Sequence, residues 1–198
     1  MADERRTEFP LPDAWTRDAL VRTGFEGFVP LIGLSGRDLP LGRGIYVVLR
    51  SDPLPAPLFL DESLLRAYAI GDLERRWIDG AEVLYIGKAE RGLRDRLGGF
   101  KPNRANHSGG RSIWQLAEAA TLQVCWVETP WDYSEDVEGD HVDAFVGVHG
   151  RRPFANVAPP ARGTVQSRSS TPKPVRGRGR RGQGRELVFV DLDAMHHS

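Results

Sequence analysis

The sequence has almost no cysteine, no long apolar stretch and no excess of charge of either sign. Cys125 is the single cysteine among 198 residues, which excludes a disulfide within the chain and suits a reducing compartment. Its neighbours form an apolar strand pattern, which favours a small buried side chain over a reactive thiol. No apolar run is long enough for a membrane helix and no export signal is recognisable, so a cytoplasmic protein without a membrane partner is predicted.

The charge is balanced overall but distributed unevenly. The chain carries 27 basic and 27 acidic residues, for a net charge of zero. Residues 162–185 hold eight of the basic residues and no acidic one, so the rest of the chain is acidic. The average therefore conceals an acidic body and a basic tail, and such a tail is typical of segments that contact nucleic acid.

Three apolar runs of strand length predict a small sheet. They are rich in β-branched and aromatic residues and span 43–50, 81–87 and 121–129. The apolar segment 24–34 is interrupted by Gly and Pro, and we interpret it as a packed loop.

Helical spacing predicts helices between and around these strands. One helix has Asp13 as its expected N-cap and Gly24 as its end, and another closes at residues 98–99. Residues 112–120 are predicted to be helical with Ser112 as a candidate N-cap, and residues 135–149 form the last expected helix.

Composition divides the chain into four parts. Residues 1–40 form an N-terminal helical extension, and residues 41–157 form the main domain with a Pro-containing insertion at 51–80. Residues 158–186 are rich in Pro, Gly, Ser and Arg, which predicts a disordered basic tail. Residues 187–198 include a short apolar segment, which could dock as an added strand.

The segment VLYIGKAERGLRDRL, residues 83–97, carries more polar groups than a strand–helix corner needs. The strand ends in Tyr85, Gly87 and Lys88, and the expected helix presents Arg94 and Arg96. Gly87 would allow a tight turn and the close approach of a substrate backbone. These groups together favour a surface that binds phosphate.

An ordered set of motifs resembles the GIY-YIG nuclease superfamily, which includes homing endonucleases and some restriction enzymes. The set consists of Gly44-Ile45-Tyr46, Tyr85-Ile86-Gly87, Arg96, Glu138 and Asn156, and the resemblance covers residues 42–157. It implies an α/β (α+β) fold, with a three-stranded antiparallel sheet flanked by helices. It also implies a metal-dependent endonuclease, a hydrolase of phosphodiester bonds, with DNA favoured over RNA. The 38 residues between the two motif tyrosines depart from the family's usual short hairpin.

Glu138 is the predicted metal ligand. With Val142 and Phe145 it occupies positions i, i+4 and i+7 of a helix, so its carboxylate is expected on the apolar face. A carboxylate there is costly unless it is paired or binds a cation. One carboxylate, waters and a substrate phosphate suit Mg²⁺ or Mn²⁺. The alternative is an ion pair with Arg96 or Arg111.

Arg96 is expected to stabilise the transition state, because its planar guanidinium fits phosphate oxygens and stays protonated. One extra residue in the motif leaves Arg94 as an alternative. The resemblance implies that the hydroxyls of Tyr46 and Tyr85 face the site and that one of them activates or positions water. A tyrosine titrates at about pH 10, so it needs a nearby cation, for which Lys88 is the candidate. Which tyrosine is the base stays open, as does a purely structural role for either ring.

Further residues are expected to support or extend the site. His107 lies where several relatives carry a catalytic histidine, although an ordinary surface role is equally compatible. Arg111 is a candidate substrate contact near a helix N-terminus. Gly44 and Asn156 are expected to be structural, with Asn156 holding the region of Glu138 through hydrogen bonds. Substrate contacts in the tail are predicted at Arg176, Arg178, Arg180 and Arg181.

A second function is compatible with the same fold. The acidic body, without a second folded recognition domain, would suit a catalytically weak or partner-dependent nucleic-acid-binding module. A protein partner could bind the 51–80 insertion or the C-terminal apolar segment, as in a multicomponent defence or repair system.

Overall fold

A computed structural model of the chain describes residues 9–52, 56–60, 68–100, 110–129 and 134–159. The contacts divide the chain into two units, residues 1–164 and residues 165–198. The second unit lies outside the described residues, and so do the predictions for the C-terminal apolar segment and nearly all of the tail.

Five helices and four strands form the described part of the first unit. In chain order they are α1 (Arg17–Arg22), β1 (Glu26–Pro30), β2 (Gly44–Leu49), α2 (Ile70–Arg76), β3 (Val83–Ala89), α3 (Leu93–Gly98), α4 (Gly110–Ile113), β4 (Gln123–Glu128) and α5 (Ser134–His149). Two short 3₁₀ turns lie at Gly36–Asp38 and Ala119–Thr121. The mixed α/β fold class is thus confirmed.

The sheet has four antiparallel strands in the order β1-β4-β2-β3, whereas three were expected. The added strand, β1, comes from the segment interpreted as a loop, and it pairs with β4 along one edge. Its register shifts between Gly27 and Val29, and both Gly27 and Phe28 have positive φ. This bulge breaks the alternation of side chains, which explains why the pattern did not reveal a strand.

The sheet separates two apolar layers. One layer contains Tyr46 and Val48 of β2 and is covered by Leu93 and Leu97 of α3. The opposite layer contains Ile45, Val47, Ile86 and the buried Cys125, together with Val142 and Phe145 of α5. Because β2 lies between two strands and is buried on both faces, its sequence reads as an uninterrupted apolar run.

The residues assigned to the extension and the insertion are part of this unit. Trp15, Leu20 and Phe25 belong to the α5-side layer, and β1 completes the sheet. In the insertion, Phe59 stacks on Phe154 with ring centroids 5.8 Å apart. Among the helices that the structure describes, none has the length and apolar character needed to cross a membrane.

The helix boundaries follow the predictions at α5 and depart from them at α1 and α4. α5 ends at His149, directly before Gly150, which has φ +72°. α1 begins after Thr16, whose hydroxyl accepts from the Ala19 N–H in place of the expected Asp13 cap. The helix predicted for 112–120 is wrong beyond Ile113. Gln115 there uses its side-chain amide to bind the backbone N–H and carbonyl of Tyr68, at 2.8 and 2.9 Å.

Candidate active site

The two motif tyrosines converge because they lie on adjacent strands. Tyr46 is paired with Gly87 in the register of β2 and β3, and Tyr85 precedes Gly87 by two residues on the same face. The two tyrosine rings lie 5.7 Å apart, centroid to centroid. A Cβ atom on Gly87 would come within 2.6 Å of the Tyr85 ring and 2.8 Å of the Tyr46 ring. Gly87 therefore makes room for both rings from inside β3; the tight turn lies instead at Gly92, with φ +118°.

Arg96 completes this cluster from α3. Leu93 and Leu97 anchor one face of the helix in the core, and Arg96 Nε donates a hydrogen bond of 3.2 Å to the Tyr46 hydroxyl. Arg94 instead donates from Nε and Nη2 to the carbonyl of Leu39, at 3.1 and 2.9 Å. Of the two arginines, Arg96 is thus the one that faces the tyrosines. We call Tyr46, Tyr85 and Arg96 the tyrosine group.

Both hydroxyls of the tyrosine group hold their protons at neutral pH. Burial raises the pKa of Tyr46 well above its ordinary value, and this side chain is 0% exposed. Burial also raises the pKa of Tyr85, which is 8% exposed; Arg96 opposes that rise, and Glu138 adds to it. The cation that acts on both tyrosines is therefore Arg96.

Lys88, which was expected to serve the tyrosines, has acidic partners. Since side chains alternate along β3, Lys88 points away from the face that carries Tyr85. Its Nζ forms ion pairs with Glu90 at 2.5 Å and with Glu135 of α5. Partial burial lowers the pKa of Lys88, but the hydrogen bonds to the two carboxylates outweigh this and raise it. We call Lys88, Glu90 and Glu135 the lysine group.

Glu138 of α5 interacts electrostatically with a cation from each of these two groups, Lys88 and Arg96. Its side chain is 8% exposed, and among the described residues it forms no hydrogen bond or ion pair. Burial raises the pKa of Glu138 to about 7, against the opposing effects of Lys88 and Arg96. Glu138 is therefore a buried carboxylate whose charge nearby cations compensate only in part, and the ion pairs considered from the sequence are not formed.

The single carboxylate of Glu138 is compatible with a hard divalent cation that takes few of its ligands from the protein. Within the described part of the chain, no three His, Cys, Asp or Glu side chains converge as a metal site. Mg²⁺ commonly uses one or two protein carboxylates and takes its other ligands from water and substrate phosphates. A single unpartnered carboxylate beside Arg96 satisfies that requirement, because a phosphate drawn to the guanidinium would add the missing oxygens.

Asn156 supports the site in a different way from the one expected. Its side-chain oxygen accepts from the Ile86 N–H at 2.9 Å, and its side-chain nitrogen donates to the Ile86 carbonyl at 2.7 Å. Ile86 lies between Tyr85 and Gly87 on the edge strand, so these bonds replace those of a missing neighbouring strand. Asn156 thus holds the strand that carries Tyr85, and no contact with Glu138 is seen.

The remaining predicted residues lie apart from this cluster or outside the described residues. Gly44 is structural, since a Cβ atom there would overlap the Val127 carbonyl. Arg111 is half-buried, with its guanidinium carbon 5.5 Å from the centroid of the Tyr68 ring. His107 lies outside the described residues, as do Arg176, Arg178, Arg180 and Arg181.

A group of arginines was missed by the sequence analysis. Arg75 and Arg76, at the end of α2, line one cleft together with Arg151 and Arg152. The available signal was two Arg-Arg pairs, one within a segment of helical spacing and one directly after the last expected helix. The 74 residues between the pairs hide their proximity.

Comparison with known proteins adds nothing to this geometry: the chain matches no protein-family model, no curated protein and no solved structure. The resemblance to GIY-YIG nucleases consequently rests on the motif residues alone.

Proposed function

We propose that this chain is a metal-dependent endonuclease that hydrolyses phosphodiester bonds, with DNA as the favoured substrate. The observation that carries the proposal is the environment of Glu138. Its carboxylate is buried, has no partner among the described residues, and is close enough to Arg96 and Tyr85 to influence ionisation in the cluster. Buried, perturbed carboxylates beside an arginine are typical of catalytic sites.

Glu138 would hold Mg²⁺ or Mn²⁺ together with water and the substrate phosphate. When bound, such a cation stabilises charge on the phosphoryl oxygens and makes its bound water more acidic. Arg96 would bind a non-bridging oxygen of the same phosphate, because its hydrogen bond to Tyr46 leaves further N–H groups of the guanidinium to donate.

The two tyrosines would have different roles. Tyr46 is fully buried and accepts a hydrogen bond from Arg96, so it acts as a positioning residue for the guanidinium. Tyr85 is slightly exposed and would orient the attacking water as a neutral hydrogen-bond partner. Neither acts as a preformed tyrosinate, because burial raises both pKa values.

The test is nicking of supercoiled plasmid with Mg²⁺, Mn²⁺ or EDTA. Glu138→Gln keeps the shape of the side chain but weakens metal binding, and we expect nicking to fall at least 100-fold. Asp143→Asn on the same helix is the matched control, because Asp143 is exposed. Full activity in Glu138→Gln, or nicking by the wild type in EDTA, would refute the proposal.

A nucleic-acid-binding module with weak catalysis is the second candidate. The burial of the tyrosine group favours it, because buried hydroxyls are hard for a substrate to reach. Tyr46 has no exposed surface, and the ammonium group of Lys88 is held by two carboxylates. For this candidate we expect salt-sensitive retardation of plasmid on a gel, without nicking under either metal. Conversion of the bound plasmid to nicked product would exclude this second candidate.

A further inference from the structure

A cleft of about 400 Å³ lies beside the loop that follows α5. Four arginines line it, Arg75 and Arg76 from α2 and Arg151 and Arg152 from the loop, together with Asn156 and a short apolar wall. None of its described lining residues is acidic. We call this feature the arginine cleft.

Carboxylates neutralise the positive charge of the arginine cleft only in part. Arg75 forms an ion pair with Asp72 on the exposed surface of α2, and the same carboxylate also interacts electrostatically with Arg76. Arg151 donates to the Arg75 carbonyl at 3.1 Å, and Arg152 donates to the Val157 carbonyl at 3.3 Å. These carbonyls fix the directions of the two guanidinium groups but carry no net charge, and no acidic partner of either is found among the described residues. Both groups keep donors for a ligand.

Arg76 is held in place by hydrogen bonds. Its Nε donates to the Asp72 carbonyl at 3.1 Å, and its Nη1 donates to the Ser112 hydroxyl at 3.1 Å and to the Phe154 carbonyl at 3.3 Å. Its Nη2 is buried without a partner among the described residues. A cation that is partly desolvated and incompletely hydrogen-bonded gains free energy when an anion comes close. The arrangement favours a ligand that carries negative charge.

One residue of the arginine cleft also contacts the strand that carries Tyr85. Asn156 lines the cleft and also binds both backbone groups of Ile86, the residue that follows Tyr85 in β3. Asn156 therefore places the cleft next to the outer edge of the strand that carries Tyr85.

We propose that the arginine cleft binds the phosphate backbone of the nucleic-acid substrate beside the reacting phosphate. The identity of this ligand rests on the nuclease function proposed above. Guanidinium groups that come from two segments of the chain suit a ligand with repeated charges, since each can bind a separate phosphate. The site would position substrate without taking part in the chemistry.

The test is fluorescence anisotropy with a labelled DNA duplex in EDTA, which separates binding from cleavage. We expect Arg151→Gln/Arg152→Gln to raise Kd at least tenfold at low salt. The slope of log Kd against log salt should fall by roughly one per lost phosphate contact. The matched control is Arg17→Gln/Arg22→Gln on α1, which removes the same charge outside the cleft and should change Kd less than twofold. Thermal unfolding of both variants verifies that each is folded.

Equal effects of the two double variants would overturn the proposal, since net charge alone would then explain the loss. Competition by polyglutamate as effective as that by unlabelled DNA would also overturn it, in favour of an acidic protein partner. Inorganic phosphate that competes as well as DNA at the same total phosphate concentration would also overturn the proposal, because the cleft would then be a site for a single anion. Wild-type binding that needs the cleft, without nicking, would refute the nuclease function and leave the cleft assigned to nucleic-acid binding.

Discussion

The tyrosine group and the lysine group lie on opposite sides of one strand and differ in their exposure to water. In the tyrosine group, two buried rings lie beside a guanidinium that donates to the Tyr46 hydroxyl and forms no ion pair with a carboxylate among the described residues. In the lysine group, Lys88 is 19% exposed and is paired with two carboxylates that are more exposed still. Loss of a buried polar contact is expensive, whereas exposed ion pairs contribute little. The first group should therefore control geometry, and the second should adjust the electrostatic potential at Glu138.

Arg96→Ala should have the largest effect on activity. It removes the group that would stabilise charge on the phosphate and leaves the Tyr46 hydroxyl buried without its donor. We expect kcat/KM for plasmid nicking to fall by about 10²–10³. Arg94→Ala is the control on the same helix: it loses hydrogen bonds to the Leu39 carbonyl, so Tm should fall while kcat stays within about threefold. A larger loss of kcat in Arg94→Ala would reverse the assignment of the two arginines.

Removing each hydroxyl of the tyrosine group should separate catalysis from positioning. Tyr85→Phe should reduce kcat by about 10-fold to 100-fold with little change in Tm or KM, because the hydroxyl would orient water. Tyr46→Phe should lower both kcat and Tm, since it removes the buried acceptor of the Arg96 hydrogen bond, worth about 1–2 kcal/mol. Steady-state nicking kinetics and thermal unfolding measure the two effects. Equal losses of kcat with no difference in Tm would contradict the distinction.

The pH dependence of stability should reveal the unpartnered state of Glu138. Its pKa is raised from 4.5 to about 7 in the folded chain, so the folded state favours the protonated form. The stabilisation is complete below pH 4.5 and is lost as pH rises through 7. It amounts to roughly 3 kcal/mol. In EDTA, urea unfolding of the wild type should show this decline, and Glu138→Gln should flatten it.

Lys88→Gln should have the smallest effect, and it is measured by the same pH dependence of urea unfolding. It removes a cation that opposes the rise in the pKa of Glu138, so the decline in stability should move to higher pH. The tyrosine group should be unaffected, because Lys88 is not among the charges that act on Tyr85. A shift to lower pH, or a pH dependence in Glu138→Gln identical to that of the wild type, would assign the titration to another group.

Local sequence patterns predicted the elements whose packing is regular. β2, β3 and β4 are apolar runs that end up buried, and α5 has three apolar positions on one face, so periodicity and burial coincide. β1 escaped prediction because positive φ at Gly27 and Phe28 removes the alternation on which strand prediction depends. The helix predicted for 112–120 stops at Ile113 for another reason that a local pattern does not contain: beyond it, Gln115 bonds to the backbone of Tyr68, 47 residues away.

What the sequence by itself determined is the set of side chains available for chemistry and their order along the chain. The glycine at 87, the two tyrosines and the arginines on α3 could all be read from motifs and spacing. Only the tertiary structure decided that Arg96 rather than Arg94 faces the tyrosines, that Lys88 pairs with Glu135, and that Asn156 holds Ile86. It also brought together the arginine cleft from two segments 74 residues apart. These contacts depend on strand register and on the packing of helices against the sheet, and neither is encoded in a local pattern.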